Sequence, residues 1–420
     1  MPSGPKSLLG ALLRADWLHA ARIRAGTRVL LVASFAVLIF LILGTHGLIV
    51  PMEKPTTTDF VSFYAAGALA MQGTPALAYD QAVHFALEQK ITAPGIGYQY
   101  FFYPPVYLLL CAPLSLLPYL ISYVLFQIVT LAFFLWVLSR IMGSAGRGWM
   151  VAALAFPPVF WVLGLGQNSF LTAGLMGLGM LLLPTRPFLA GLALGAMCYK
   201  PHFGLLFPLV LLIGRQWLAI AGAAASVLGL AGLSVALFGV ETWQAYLLAV
   251  QSSRAVYESG SIDFIGMATP FGGALLMGFS PTVAHIVQTG AMAATACVVG
   301  WVWWSGASLA TRAAAVAAGT LLAVHLALIY DVLLLLLAMA WLVRAGRESE
   351  IRPGEKIIFF GVYLVLLLVT KWLILRGIGG APAIPLAPLA SVAMLALCVS
   401  RARWEMRAHS GLAAPRPQLL

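Results

Sequence analysis

The chain has 420 residues, of which 62% are hydrophobic and only 9% are charged. Soluble domains are about 45–50% apolar and about 25% charged, and no soluble fold can bury this much apolar surface, so a soluble globular protein is excluded. The net charge of +11 is spread in short clusters between apolar runs. This spacing argues against a nucleic-acid-binding surface and is typical of loops on the cytoplasmic side of a membrane.

The N-terminal region predicts a cytoplasmic segment followed by a membrane-spanning helix. Residues 1–28 are basic, and the apolar run from Val29 to about Val50 follows directly. A run of about 20 residues suits a spanning helix better than the short core of a signal peptide. The sequence therefore predicts a cytoplasmic N-terminus and a first transmembrane helix over 29–49.

Further arginine clusters divide the rest of the chain into pairs of apolar segments. If every cluster faces the cytoplasm, each pair crosses the membrane and returns. The predicted pairs are 29–49 with 119–140, 148–164 with 168–184, 187–200 with 202–214, 216–238 with 281–304, 310–327 with 330–344, and 356–375 with 384–400. We therefore predict an all-α polytopic membrane protein with about twelve transmembrane helices, some of them short enough to be half-helices.

Two longer segments then fall on the outer face of the membrane. Residues 51–118 and 239–281 form these outer segments, within a transmembrane domain over 29–401 and before a cytoplasmic tail over 402–420. The first outer segment predicts interfacial helices over 59–73 and 79–90. The apolar run 106–117 is too short to span and is predicted to be embedded halfway.

Polar residues interrupt the apolar runs at five places, and the arginine count puts all five on the non-cytoplasmic face. Ionisable residues and helix breaks at membrane depth usually face a cavity, so one outward-facing site is expected. The interruptions are Asp59, Tyr103-Pro104-Pro105, Gly166-Gln167-Asn168, Lys200-Pro201-His202, and His325 with Tyr330-Asp331.

Each of these residues also has a purely structural interpretation. Asp59 could cap the helix that follows it, Gln167 and Asn168 could be turn residues, and Lys200 could be an interfacial anchor. His325 could be a hydrogen-bonded packing residue. Asp331 could pair with a base such as Lys371.

The order of these motifs resembles glycosyltransferase family 87. The series runs from Asp59-Phe60…Tyr64 through Gly73…Tyr79, Phe102-Tyr103-Pro104-Pro105, Gly166-Gln167-Asn168 and Lys200-Pro201-His202 to His325…Tyr330-Asp331, over roughly residues 29–345. The resemblance implies the GT-C membrane fold and a polyprenol-phosphate sugar donor used on the outer face of the inner membrane. The family includes mannosyltransferases that use polyprenol-phosphate mannose. A glutamine often follows the Lys-Pro pair in related sequences, whereas His202 stands there in this chain.

The resemblance also implies roles for individual residues. Asp59 occupies the position of the catalytic base, and a carboxylate suits the deprotonation of an acceptor hydroxyl. Lys200, with His202 or His325, can stabilise a phosphate through charge-assisted hydrogen bonds. The remaining motif residues are implied to bind the donor phosphate or substrate: Gln167, Asn168, Tyr64, Tyr103, Tyr330 and Asp331.

The expected partners are a polyprenol-phosphate sugar donor, a glycan or glycolipid acceptor and membrane lipids. No cofactor is expected, because a lipid phosphate is already a good leaving group and the chain has no nucleotide-binding Gly-rich motif. No metal is expected either, because an Asp-x-Asp cluster is lacking.

Three alternatives remain at this point. A secondary transporter would use similar broken helices, but it usually places polar groups near the midplane and shows an internal repeat. A polymerase or ligase of lipid-linked glycans would act on similar lipids. A structural subunit without chemistry is the third alternative.

Overall fold

The computed structural model describes residues 15, 17–43, 59–143, 148–258, 264–375 and 384–409. Within these residues the chain is helical, and the only β-type pairing is an isolated bridge between Met267 and Leu328. The predicted all-α class is therefore confirmed. Parts of the predicted segments 1–28, 51–118, 239–281 and 402–420 lie outside the described residues.

The described residues form eighteen α-helices. The first nine are α1 (Ala20–Leu43), α2 (Phe60–Met71), α3 (Gln81–Ile91), α4 (Leu108–Leu114), α5 (Tyr119–Met142), α6 (Gly148–Leu154), α7 (Pro157–Leu165), α8 (Ser169–Leu182) and α9 (Pro187–Gly195). The next nine are α10 (Phe207–Ile213), α11 (Trp217–Phe238), α12 (Val240–Glu258), α13 (Pro270–Leu276), α14 (Pro281–Trp304), α15 (Leu309–Ala323), α16 (Leu333–Glu348), α17 (Glu355–Leu375) and α18 (Leu386–His409). Short 3₁₀ turns connect several of them: Pro75–Tyr79, Pro105–Tyr107, Ala196–Tyr199, Pro201–Gly204 and Phe264–Gly266.

Five helices of the described chain are long and apolar enough to cross a membrane, namely α5, α11, α14, α17 and α18. A sixth candidate is the pair α6 and α7, which is bent by 57° at its break. Pro157 and Pro158 begin α7 and supply no backbone N–H groups to continue the preceding helix. The predicted count of twelve is not confirmed, because the other apolar helices, such as α8 and α15, stop short of a full span.

Two helix boundaries differ most from the prediction. α1 begins at Ala20 rather than Val29, because arginine is a good helix former and does not stop the helix. α18 continues to His409, across the predicted boundary between 401 and 402. Arg401 is fully buried within α18, and the carboxylates of Glu355 and Glu405 neutralise its charge. The helix therefore continues through the basic cluster.

Glycine contacts bring α9 and α11 unusually close together. A Cβ atom on Gly191 would lie 2.0 Å from the Ala219 carbonyl oxygen, and one on Gly222 would lie 2.1 Å from that of Phe188. Only glycine permits backbones to approach so closely. This contact fixes the direction of α9, which leads through the 3₁₀ turn Ala196–Tyr199 to Lys200.

One end of the helix bundle is basic. Arg140, Arg186 and Arg344 line a common surface groove there, and Arg347 donates a hydrogen bond to the Met142 carbonyl. The buried Arg401 guanidinium lies 2.5 Å from the Glu355 carboxylate. Arg401 is paired with Glu355 and Glu405, and Arg344 is paired with Glu348, so the buried guanidinium of Arg401 is not left without a counter-charge.

The opposite end of the bundle carries the predicted polar breaks. α8 begins at Ser169, which hydrogen-bonds to Asp331, and α16 begins two residues after Asp331. Both helices then run toward the arginine groove. α2, α3 and α4 lie at this polar end, outside the five long candidate spans. The arginine clusters and the polar breaks therefore occupy opposite ends of the same helices.

Candidate functional site

Asp59 lies directly before α2 but does not cap it. Its side chain makes no capping hydrogen bond to the first turn. Instead, its Oδ2 accepts a hydrogen bond of 2.6 Å from Nε2 of Gln167. The capping interpretation is therefore wrong, and the carboxylate is held by a neutral amide from a distant part of the chain.

Gly166 is what brings Gln167 to Asp59. It ends α7 in a left-handed conformation with φ of 70°, which L side chains rarely adopt. A Cβ atom on Gly166 would lie 2.5 Å from Cβ of Phe60, the first residue of α2. The missing side chain thus lets the α7–α8 connection pack against the start of α2.

Gln167 is buried and held at both its backbone and its side chain. Gln127 donates to its carbonyl oxygen at 3.1 Å. The Tyr103 hydroxyl donates to its Oε1 at 3.5 Å. With the amide oxygen directed to Tyr103, the amide nitrogen is directed to Asp59, so Gln167 is more than an ordinary turn residue.

Lys200 and Asp331 form a buried ion pair. The Lys200 Nζ lies 2.8 Å from Asp331 Oδ1, and both side chains are only 5% exposed. The Ser169 hydroxyl donates to Oδ1 of Asp331 at 2.8 Å, and the Leu328 amide donates to Oδ2 at 3.2 Å. Asp331 is therefore paired with a base, as the structural interpretation expected, but the base is Lys200 and not Lys371. Lys200 is buried within the protein, which does not fit a simple interfacial anchor.

Aromatic rings surround the Lys200 ammonium. Its Nζ lies 5.2 Å from the ring centre of Phe203, 5.5 Å from that of Tyr330 and 6.0 Å from that of Tyr103. Ring faces attract cations at such distances. The rings thus attract the ammonium group and shield it from solvent, in agreement with its 5% exposure.

Two histidines lie nearby with exposed side chains. His325 is in contact with the rings of His285 at 5.6 Å and Phe271 at 6.2 Å between centroids. His202 packs edge-on against Phe203 at 4.7 Å. Both imidazoles are also exposed, although His325 packs against two rings.

A single cavity of about 1080 Å³ brings most of these groups together. The predicted site residues that line it are Asp59, Tyr103, Gln167, Lys200, His202, His325, Tyr330 and Asp331. Pockets for one small ligand usually measure about 300–1000 Å³. The cavity therefore lies at the upper end of the size range of ligand sites.

Two predicted site residues lie outside this cavity. Tyr64 donates a hydrogen bond of 2.8 Å to the Leu117 carbonyl and packs on Tyr119. At 3.6 residues per turn, a position five residues after Asp59 points about 140° away from it. Ser62 and Phe63, three and four residues on, do line the cavity. Asn168 is fully buried and does not reach the cavity wall.

Several further lining residues were not predicted as site residues. They include a set of aromatic residues, namely Tyr98, Tyr100, Phe102, Trp161, Tyr199 and Tyr246. The spacing of Tyr98, Tyr100 and Phe102 at every second position would have been a usable signal, because alternate residues of an extended segment share one face.

The sequence comparison decides the family. The model of glycosyltransferase family 87 matches residues 101–329, more than half of the chain. The chain belongs to glycosyltransferase family 87. No curated protein and no solved structure matches it. The matched region contains Tyr103, Gln167, Lys200, His202 and His325, whereas Asp59 precedes it.

A family 87 glycosyltransferase moves a sugar from a donor to an acceptor, and the cavity holds groups suited to such a reaction. Burial within the protein raises the pKa of Asp59 to about 6, against the opposing effect of the Gln167 hydrogen bond. A carboxyl group with this pKa is ionised at neutral pH and is a stronger base than an ordinary aspartate. Among the described residues, no three His, Cys, Asp or Glu side chains gather as metal ligands.

Proposed function

We propose that this glycosyltransferase transfers a sugar, mannose by the family resemblance, from a polyprenol-phosphate donor to a hydroxyl group of a lipid-linked or polysaccharide acceptor. The observation that carries the proposal is the arrangement of one cavity. Asp59, held by Gln167 at 2.6 Å, and Lys200, held by Asp331 at 2.8 Å, both line it. Asp59 suits the deprotonation of an acceptor hydroxyl, and Lys200 suits the binding of a phosphate.

Asp59 is the general base in this proposal. The acceptor oxygen attacks the anomeric carbon while the carboxylate takes the hydroxyl proton. The bond from the anomeric carbon to the phosphate oxygen breaks, and polyprenol phosphate leaves. The hydrogen bond from Gln167 to Oδ2 fixes the carboxylate, so its orientation is set before the acceptor arrives.

Lys200 binds the donor phosphate in this proposal. An ammonium group has three N–H donors, and the bond to Asp331 uses one of them. The remaining donors can make charge-assisted hydrogen bonds to phosphate oxygens. His202 and His325 line the same cavity and supply further N–H donors. A leaving phosphate gains negative charge, so these contacts strengthen as the reaction proceeds.

The proposal includes the GT-C fold, about twelve spans counting half-helices, and a site on the non-cytoplasmic face of the inner membrane. The separation of the two bundle ends supports this orientation. The arginine groove of Arg140, Arg186 and Arg344 lies at the end away from Asp331, and arginine-rich ends of membrane proteins usually face the cytoplasm.

A transfer assay in liposomes tests the function. Purified protein is given radiolabelled polyprenyl-phosphate mannose, the glucose and arabinose analogues, and an extract of membrane glycolipids as acceptors. We expect transfer from one of these lipid donors without any nucleotide sugar, and loss of transfer with Asp59→Asn. Transfer that occurs only from nucleotide sugars would contradict the proposed donor class.

A further inference from the structure

An unassigned row of aromatic side chains lines one wall of the cavity. Tyr98, Tyr100 and Phe102 alternate along a segment without helix, and all three are partly exposed. The rings of Tyr98 and Tyr100 are 4.7 Å apart, and those of Tyr100 and Phe102 are 5.2 Å apart with an angle of only 13°. We call these three residues the aromatic ladder.

Contacts of the residues between the three rings hold the ladder in place. Phe101, which points the other way, is 2% exposed and packs against Tyr79 at 5.6 Å. The backbone N–H of Gln99 donates a hydrogen bond of 3.0 Å to Oε2 of the buried Glu88. A loop held at alternate residues keeps its outward rings in a fixed row, so the ladder is a built surface rather than a loose loop.

The inner end of the ladder leads to the proposed base. Tyr103, the residue after Phe102, donates to Oε1 of Gln167, whose Nε2 donates to Asp59. The other end adjoins the exposed Gly97. The ladder thus extends from the outside of the protein toward the carboxylate, over about 13 Å at 3.3 Å per residue.

We propose that the aromatic ladder binds the acceptor as a glycan, with the sugar rings that precede the reacting one packed along the exposed edges and outer faces of Tyr98, Tyr100 and Phe102, since Tyr100 and Phe102 stack on each other. This inference rests on the proposed function and names its acceptor class. Sugar rings have an apolar C–H face that packs on an aromatic face, while their hydroxyl groups stay in water. A row of three rings is long enough for more than one sugar.

A different wall suits the polyprenyl chain of the donor. Trp161, Met292 and Leu373 also line the cavity, and they belong to α7, α14 and α17. These helices are candidate membrane spans, so this wall can continue into lipid. The ladder belongs to a loop between α3 and α4, where a polar glycan can enter from water.

Steady-state kinetics with acceptors of different length test the inference. The acceptors are octyl glycosides carrying one, two or three hexoses, and the variants are Tyr100→Ala, Phe102→Ala and Tyr100→Phe. We expect each alanine variant to raise KM for the di- and trisaccharide by about 2- to 12-fold, the effect of losing one aromatic contact. Donor KM stays unchanged, and Tyr100→Phe, which keeps the ring, stays near wild type.

The controls separate this inference from the proposed function. Phe279→Ala removes an aromatic ring that is 50% exposed outside the cavity and should leave all KM values unchanged. A rise in donor KM instead of acceptor KM would assign the ladder to the polyprenyl chain and overturn the inference. Equal KM values for all acceptor lengths would also overturn the inference.

If the wild-type protein transfers no sugar to any acceptor, the proposed function fails, and saturation-transfer NMR then tests the ladder alone. Wild-type protein should show contact with the trisaccharide, and Tyr100→Ala should lose it. The same signal in both proteins would overturn the inference.

Discussion

Nε2 of Gln167 donates a hydrogen bond of 2.6 Å to Oδ2 of Asp59, although 108 residues separate them. The left-handed Gly166 makes this contact possible by packing against Phe60. Asp59, directly before α2, therefore presents its carboxylate to the cavity in a fixed orientation. The reactivity that we propose for Asp59 depends on this contact between two distant breaks in the helices.

Replacement of Asp59 by Asn should abolish turnover without loss of folding. The asparagine oxygen can still accept the hydrogen bond from Gln167, whereas its amide cannot take a proton. Loss of a general base typically lowers the rate by about 10²–10⁴-fold. Turnover and donor binding are measured together, with the unfolding temperature as a control. Turnover close to wild type would remove Asp59 from the base role.

The rate should depend on pH through Asp59. Its pKa of about 6 implies that kcat/KM falls as pH drops below about 6, because the protonated carboxyl cannot accept a proton. The Gln167 hydrogen bond lowers this pKa, so Gln167→Leu should shift the acid limb to higher pH. Conversely, the Asp331 charge raises it, so Asp331→Asn should shift the limb to lower pH. If the acid limb of the kcat/KM profile stays at the same pH in both variants, the ionisation belongs to another group.

Lys200 and Asp331 form a buried ion pair, so removing either one leaves the other as an unpaired buried charge. The role of Lys200 therefore has to be tested with a double variant. Lys200→Met alone leaves Asp331 without its cation, which typically costs about 3–5 kcal/mol. The double variant Lys200→Met with Asp331→Asn should recover most of the stability. If Lys200 binds the donor phosphate, the double variant should still lose donor affinity by about 10- to 150-fold, from a contact of about 1.5–3 kcal/mol.

Thermal unfolding and donor binding of the three proteins check this prediction. Normal donor affinity in the stable double variant would show that the ion pair is structural only.

Gly166→Ala should damage the site through the backbone. The left-handed conformation costs about 1–2 kcal/mol for a residue with a Cβ atom, and that atom would collide with Phe60 and the Tyr123 ring. We expect a lower unfolding temperature and a large loss of activity. Gly229→Ala in α11 is the matched control, because nothing lies within 4 Å of its added methyl group. Equal effects of the two changes would show that Gly166 has no special role.

Cysteine labelling tests the orientation in the membrane. In a background without the four native cysteines, Gly97→Cys should react with an impermeant maleimide added outside the inner membrane. Glu350→Cys, at the basic end, should react only after permeabilisation. Both positions are exposed, so access depends on sidedness alone. The reverse pattern would place the cavity in the cytoplasm.

The sequence alone determined the class of protein and the place of the site along the chain. Composition requires a bilayer, and hydropathy predicts helices, because both depend on residues close in sequence. The breaks at Asp59, Gln167 and Lys200 could be assigned to one side from the arginine clusters between them, because loop charge decides orientation. All three line one cavity.

Tertiary packing decided which residues meet. The pairing of Asp331 with Lys200 rather than Lys371 depends on where α9 directs Lys200, and glycine contacts with α11 set that direction. Tyr64 lies on the far side of α2 because of helical rotation about the helix axis. The number of full spans depends on where proline and glycine stop each helix. Contacts across 108 or 131 residues leave no local pattern, because they form only when separate helices pack together.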